Sequence, residues 1–141
     1  MNADELKAAG WASAAGKGFT GAIGPIYIRG ENQSWELGIL AEAKHSNNQP
    51  GVVHGGALMT FADIALGYGV AKALGHSNCV TAQLSVQFVA SAPVGAFISC
   101  KPEVVRCGAS LGFVRGLIMA GGKTVASAEG IWKVLEPRPK S

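Results

Sequence analysis

Between residues 80 and 89 apolar and polar side chains alternate without interruption. Val80, Ala82, Leu84, Val86 and Phe88 fall on one face of an extended chain, and Thr81, Gln83, Ser85 and Gln87 on the other. A period of two predicts a half-buried strand. Further strands are expected over 96–107, 110–119 and 123–134, with tight turns at Gly108-Ala109 and Ala120-Gly121-Gly122. Upstream, 23–29 and 34–41 read as two shorter strands separated by a turn at 30–33. The pattern changes over 56–74, where nearly every residue is apolar or small and Gly75 follows, which predicts one long helix with a glycine stop. Asn2 with Glu5 three residues later resembles a capping box and predicts a short helix over 3–14, interrupted by the glycines of 16–21. Residues 42–53, with Pro50 and Gly51, read as a polar loop.

These elements imply an α+β architecture. An antiparallel sheet must bury one face, and a helix apolar all round must be covered on most sides. The simplest solution is a curved antiparallel sheet wrapped around one long central helix, with a short N-terminal helix. Gly and Ala in the helix would let the strands approach closely. A single domain over 1–141 is expected, with 1–21 as N-terminal helix and lead-in.

Composition narrows the picture. At 141 residues, 48% hydrophobic and 15% charged, the chain suits a globular domain with a real core. The net charge is +3, but the basic residues are scattered singly, so there is no nucleic-acid footprint; a mildly positive surface suits an anionic substrate. Three cysteines, Cys79, Cys100 and Cys107, without C-x-x-C spacing argue against a disulfide framework or zinc site. The segment 55–71 is apolar enough to raise the question of a membrane span. Asp63 lies at its middle, where a lone carboxylate in lipid would cost ~3 kcal/mol, so a core helix and no membrane association are expected. Residues 1–15 carry Asp4 and Glu5 and no leucine-rich stretch, which argues against a signal peptide and for a cytoplasmic protein.

Several familiar patterns fail on context. Gly16-Lys17-Gly18-Phe19-Thr20-Gly21 matches G-x-G-x-x-G, but a dinucleotide site needs a strand before it and a helix after it. Gly122-Lys123-Thr124 resembles the end of a P-loop, yet Leu117 stands where the first glycine belongs. Gly108-Ala109-Ser110-Leu111-Gly112 matches G-x-S-x-G, but it joins two predicted strands, and all three histidines precede Ser110. His45, His54 and His76 have no metal-ligand spacing, so neither metal nor cofactor is expected.

The segment Asn48-Gln49-Pro50-Gly51-Val52-Val53-His54-Gly55-Gly56 leads straight into the long helix. N–H groups at a helix start are unpaired and lie at the positive end of the dipole. They can bind an anion, or an oxygen that becomes anionic in a transition state. Alone this would be an ordinary glycine-rich helix entry. Asp63 changes the balance: it is the only acid in the apolar helix, and burying it unpaired would be costly. It is either a structural carboxylate or a nucleophile or general base held in a dry pocket; packing gives no reason for it, which favours chemistry.

With these residues on the page, the chain resembles the hotdog-fold acyl-CoA thioesterases of the phenylacetate-pathway (PaaI) type, over about residues 23–135. The shared pattern is Asn48-x-x-Gly51-x-x-His54-Gly55-Gly56 with Asp63 nine residues after the histidine, then Val80-Thr81-Ala82-Gln83-Leu84 and Pro93-x-Gly95. The resemblance implies a hotdog fold, no cofactor, and hydrolysis of an aryl- or medium-chain acyl-CoA to free acid and CoA. It implies that the Gly55 N–H polarises the thioester carbonyl and that Asp63 attacks it or activates water. Asn48 would orient substrate or water, Thr81 would help hold the water, and His54 would support the turn. Gly56 would sit against the substrate, and Arg106 and Arg115 are candidates to meet the CoA phosphates. Gln49-Pro50 departs from relatives that carry Pro and then an apolar residue, which touches the loop rather than the chemistry.

Gly55 and Asp63 are eight residues apart, about 12 Å along one helix. One helix therefore cannot easily supply both groups to one carbonyl, and a two-fold homo-oligomer, dimer or dimer of dimers, with sites at the subunit interface is expected. Two other readings compete. A hotdog enoyl-CoA hydratase or dehydratase places its histidine and acid differently. A non-catalytic acyl-CoA binding module gives no reason to retain Asp63.

Overall fold

The computed structural model describes residues 1–31 and 34–136. In chain order its elements are α1 (Ala3–Ala8), β1 (Ala12–Ala14), α2 (Gly18–Ile23), β2 (Ile26–Glu31), β3 (Ser34–Leu40), a 3-10 turn (Ala43–His45), α3 (Gly55–Leu74), β4 (Cys79–Phe88), β5 (Phe97–Cys100), β6 (Glu103–Cys107), β7 (Leu111–Ala120) and β8 (Lys123–Val134). The strands form one antiparallel sheet in the order β1-β2-β3-β5-β7-β8-β4, with β6 also paired to β7. The sheet curves around α3, which makes this a hotdog fold.

Helix α3 starts and stops close to where its sequence predicts, with Gly75 in the left-handed conformation as its stop (φ 81). Its buried residues are Leu58, Phe61, Ala62, Ala65, Leu66, Gly69 and Val70, a stripe at the 3–4 spacing of one helix face. The helix is therefore not covered on most sides. Met59 and Gly56 are exposed on the remaining face, and Thr60, Asp63 and Gly67 are half-buried. A sheet curved around one side of a helix seals one stripe and leaves the other open. Small residues bring the layers together. A Cβ on Gly69 would lie 2.7 Å from the Pro102 ring, and one on Gly67 would lie 3.2 Å from the Trp132 indole nitrogen. On β7, a Cβ on Gly116 would meet the Cys100 sulfur at 2.7 Å. Cys100 belongs to this core, and burial pushes its thiol up to about 12, so it behaves as a small neutral hydrophobe.

The expected strand over 96–107 is split at Lys101-Pro102 into β5 and β6, which pair one after the other along the same edge of β7. Pro102 has no N–H for the ladder and packs on α3 instead. The expected N-terminal helix over 3–14 ends at Ala8. Gly10 turns the chain (φ 93), Trp11 is buried with Leu6 and Tyr27, and residues 12–14 pair with β2 as a strand. The short helix α2 starts within the glycine-rich break at 16–21 and runs to Ile23, and the strand expected from residue 23 begins at Ile26. Strands β2 and β3 pair with Glu31 opposite Ser34. The expected turn at 30–33 includes Asn32 and Gln33, which lie outside the described residues.

Candidate active site

The head of α3 is held by its cap. His54 is the N-cap residue: its Nδ1 accepts the Gly56 N–H at 2.7 Å, and its own N–H donates to the His45 carbonyl at 2.7 Å. The ring lies against the turn, and a Cβ on Gly56 would come within 3.0 Å of Nδ1, so glycine is what lets the imidazole close on the backbone. Because Nδ1 accepts, the neutral ring carries its proton on Nε2. Gly56, which the resemblance sets against the substrate, has its N–H engaged by His54. The Gly55 N–H has no acceptor among the described residues and stands at the positive end of a twenty-residue helix. The Phe88 ring flanks it, 3.6 Å from where a Gly55 Cβ would be.

Asp63 lies two turns along α3, on the face that the sheet leaves open. It is half-buried rather than enclosed in a dry pocket. Its Oδ1 accepts the Thr81 hydroxyl at 2.6 Å, the short length of an O–H donating to a carboxylate, about 2.5–2.7 Å. This contact depends on a departure from the alternation that predicted β4. The pairing with β8 slips between Thr81 and Gln83, leaving Ala82 as the extra residue of a bulge. Thr81 is opposite buried Trp132, and Leu84, Val86 and Phe88 are opposite Gly130, Ala128 and Ala126, all on the helix side. Val80 is opposite Lys133 on the outer face with Gln83, Ser85 and Gln87. The bulge has exchanged the faces of Val80 and Thr81 relative to strict alternation, and so aims Thr81 at Asp63.

The remaining expected residues are more dispersed. Asn48 is exposed in the loop before α3 and holds no side-chain hydrogen bond among the described residues. Arg106 and Arg115 are on the outer face of the sheet. Arg106 is opposite Phe113, and Arg115 donates to Glu103 at 3.1 Å in an exposed pair that raises the guanidinium pKa further. A second bulge, at Val105, sends Arg106 outward. Within one chain, both arginines are thus across the sheet from Asp63 and Gly55.

One residue escaped the sequence reading. His45 is buried, with 4% of its surface exposed; its Nδ1 accepts the Glu42 N–H at 2.9 Å, and its Nε2–H donates to the Ile23 carbonyl at 2.7 Å. Since its own carbonyl accepts from His54, this one residue ties α2 to the head of α3. The signal in the sequence was faint: a histidine three residues after Glu42, the spacing of a helix-cap interaction, in a stretch too short to read as a helix.

A curved sheet around one helix, with an unpaired N–H at the helix head and a carboxylate on its open face, defines the class of protein. Residues 50–127 match the family model of the thioesterase superfamily, and the chain belongs to that superfamily. A Pseudomonas aeruginosa protein that carries the provisional name of esterase is 31% identical over 112 residues, covering 78% of this chain and 83% of the relative. A single-residue variant of the phenylacetic acid degradation protein PaaI from Thermus thermophilus shares the fold with a TM-score of 0.73, at 20% identity over 83% of this chain and 98% of that one. A hypothetical thioesterase from Streptococcus pneumoniae, solved with coenzyme A, does so with a TM-score of 0.68, at 19% identity over 81% of this chain and 88% of that one. The fold is PaaI-like.

Proposed function

We propose that the protein hydrolyses the thioester of an aryl- or medium-chain acyl-CoA to the free acid and CoA. The observation that carries this reading is the Thr81–Asp63 hydrogen bond at 2.6 Å on the open face of α3, the helix whose head presents the free Gly55 N–H. The N–H polarises the thioester carbonyl, and one such donor contributes ~3 kcal/mol to the transition state. Asp63 attacks the carbonyl carbon or takes a proton from the attacking water; Thr81 holds the carboxylate, and Asn48 orients water or substrate from the loop. The neighbour solved with coenzyme A supports CoA as the carrier.

The two groups act on one carbonyl when they come from different chains. About 12 Å of helix separates Gly55 from Asp63, and the face between them, with Met59, is uncovered. The adjoining strand β4 is a sheet edge whose Val80 and Phe88 are each 50% exposed. A second copy related by a two-fold axis covers both and sets the head of one α3 against the middle of the other, giving two equivalent sites. Arg106 and Arg115 reach CoA phosphates only through such an assembly, in which a nucleotide lies across an outer face.

The test is thiol release from a panel of acyl-CoAs, with chelator present. Turnover of at least one aryl- or medium-chain member is expected. Asp63→Asn, which keeps the shape and removes the base, should lower kcat by ~10²-fold or more in folded protein. Background rates across the whole panel, or near-normal kcat in Asp63→Asn, would remove the proposal.

A further inference from the structure

His45 holds three elements at once. It closes the 3-10 turn Ala43–His45, is 4% exposed, and uses both of its ring nitrogens. Nδ1 accepts the Glu42 N–H at 2.9 Å, and the Glu42 side chain accepts the His45 N–H in return, so the turn is locked as a capping box. An accepting Nδ1 leaves the proton on Nε2, which donates at 2.7 Å to the carbonyl of Ile23, the last residue of α2. The His45 carbonyl in turn accepts the His54 N–H at 2.7 Å. Both His45 and α2 lie outside residues 50–127, the part matched by the family model.

The bond from His54 is the last fixed point before the free donor. Two consecutive N–H groups pin the chain as it enters α3: that of Val53 donates to the Ala92 carbonyl at 2.9 Å, and that of His54 to His45. The next N–H is that of Gly55, which has no acceptor among the described residues. The peptide that carries it is separated from the pinned His54 N–H by the His54 φ and ψ alone, -63 and 136. Holding the one peptide therefore aims the other. An oxyanion donor works at about 2.7–3.1 Å from the developing oxygen, and a misplacement of about 1 Å can cost ~10²-fold in rate. His45 restricts that drift by fastening the peptide to a locked turn and, through the turn, to α2. Lys44 fastens the same turn to α2 a second time, donating to the Gly24 carbonyl at 2.6 Å. The task needs an acceptor on one edge of the side chain and a donor on the other, as a neutral imidazole has. Leucine, of similar bulk, would leave the Glu42 N–H and the Ile23 carbonyl without these partners.

We infer that His45 is a positioning residue for the reaction: it aims the Gly55 N–H at the thioester carbonyl by holding the His54 peptide against the locked turn and α2. What that N–H does is taken from the thioesterase reading, on which this rests. His45 itself touches no substrate. Its effect falls on the carbonyl and on the transition state, where the oxygen gains charge, and not on binding of the CoA part.

The experiment compares His45→Leu, His45→Asn and His45→Gln with wild type and with Gly116→Ala, a control that overpacks the sheet beside Leu66 and Cys100. Turnover of acyl-CoAs is measured beside the affinity, by calorimetry on the full chain, of two phenylacetyl-CoA analogues. One is a ketone, with a methylene in place of sulfur and the carbonyl retained; the other is a thioether without a carbonyl. In His45→Leu, kcat per folded molecule should fall about tenfold or more. The ketone-to-thioether affinity ratio should fall about threefold, with thioether affinity unchanged. Asn supplies an acceptor in the place of Nδ1 and Gln a donor in the place of Nε2, so each should keep more kcat than leucine. Gly116→Ala should lose thermal stability and keep both kcat and the ratio. If His45→Leu does not fold, the Asn and Gln variants carry the test, each with kcat and ratio below wild type. An unchanged ratio in the His45 variants, or a loss of thioether affinity that matches the loss of kcat, overturns the inference. Wild type that turns acyl-CoAs over without preferring the ketone keeps the thioesterase and rejects the aiming of Gly55. Wild type that prefers the ketone without turnover rejects the thioesterase, and the ratio in the variants then decides on His45 alone.

Discussion

Strands β4 and β7 are each ten residues long and belong to the same sheet, yet they obey different rules. β7 is interior, paired with β5 and β6 on one side and β8 on the other. Its alternation is strict: Gly112, Val114, Ile118 and Ala120 are buried against the helix side, while Leu111, Phe113, Arg115 and Leu117 are exposed. β4 is an edge strand with β8 as its partner in the chain, and its phase shifts at Ala82. The regular strand builds the wall on which α3 rests. The irregular one carries the side chain that touches Asp63. A bulge in an edge strand disturbs one ladder; β7 keeps its own phase, and the extra residues in its ladders belong to its partners, Val105 of β6 and Val125 of β8. The residue that we propose holds the catalytic carboxylate sits where the period breaks.

Substitutions should separate the two strands and what each supports. The largest effect is expected where the open face of α3 meets its counterpart. Asp63→Ala and Gly55→Pro, the latter lacking the donor N–H, should each be inactive but folded, since proline is tolerated at the first position of a helix. After co-refolding, about half the dimers are mixed and each carries one intact site, so roughly a quarter of wild-type activity should return. No recovery, with mixed dimers shown to form, would return the site to a single chain. Next is β4 itself. Thr81→Val keeps the branched shape and removes the hydroxyl that holds the carboxylate, so kcat should fall roughly tenfold, less than in Asp63→Asn, in folded protein. If activity survives intact, the bulge has no catalytic consequence. The smallest effect on catalysis is expected on β7. Gly116→Ala puts a methyl 2.7 Å from the Cys100 sulfur and 3.3 Å from Leu66. Overpacking of this kind costs about 1–3 kcal/mol, so thermal denaturation should shift down while kcat per folded molecule stays the same. A fall in kcat without loss of stability would make β7 more than a wall.

Much of the fold was legible. The apolar run of α3 and its glycine stop, the turns at Gly108-Ala109 and Gly121-Gly122, and strand β8 are all local: each follows from propensity, period or positive φ at a few adjacent residues. The N-terminus was less so. Asn2 does cap α1, accepting the Glu5 N–H at 2.9 Å, but the helix ends at Ala8, Gly10 turns the chain at φ 93, and Trp11 packs with Tyr27 and Phe97, residues distant in the sequence. At the candidate site, His54, Gly55, Gly56 and Asp63 stood out in the sequence because packing alone gives no reason for them. His45 was not, because its importance comes from Ile23 and His54, twenty-two residues before it and nine after it.

The sequence by itself determined the elements, the glycine-led head of α3 and the lone acid in its middle, since these depend on side chains within a few positions of one another. It also pointed to the family, because the spacing from His54 to Asp63 is a property of the chain. Only the tertiary structure decided which way Thr81 faces. The sequence from 80 to 88 alternates cleanly, and nothing within it marks Ala82 as the residue that drops out of the ladder. That choice is made by the register of β8 and the position of Asp63 across from it, a balance between two segments that are distant in the chain. The tertiary structure also decided which glycine N–H remains free and that one face of α3 stays open. Both depend on where a sheet stops and a ring lies, and neither is encoded in any local pattern.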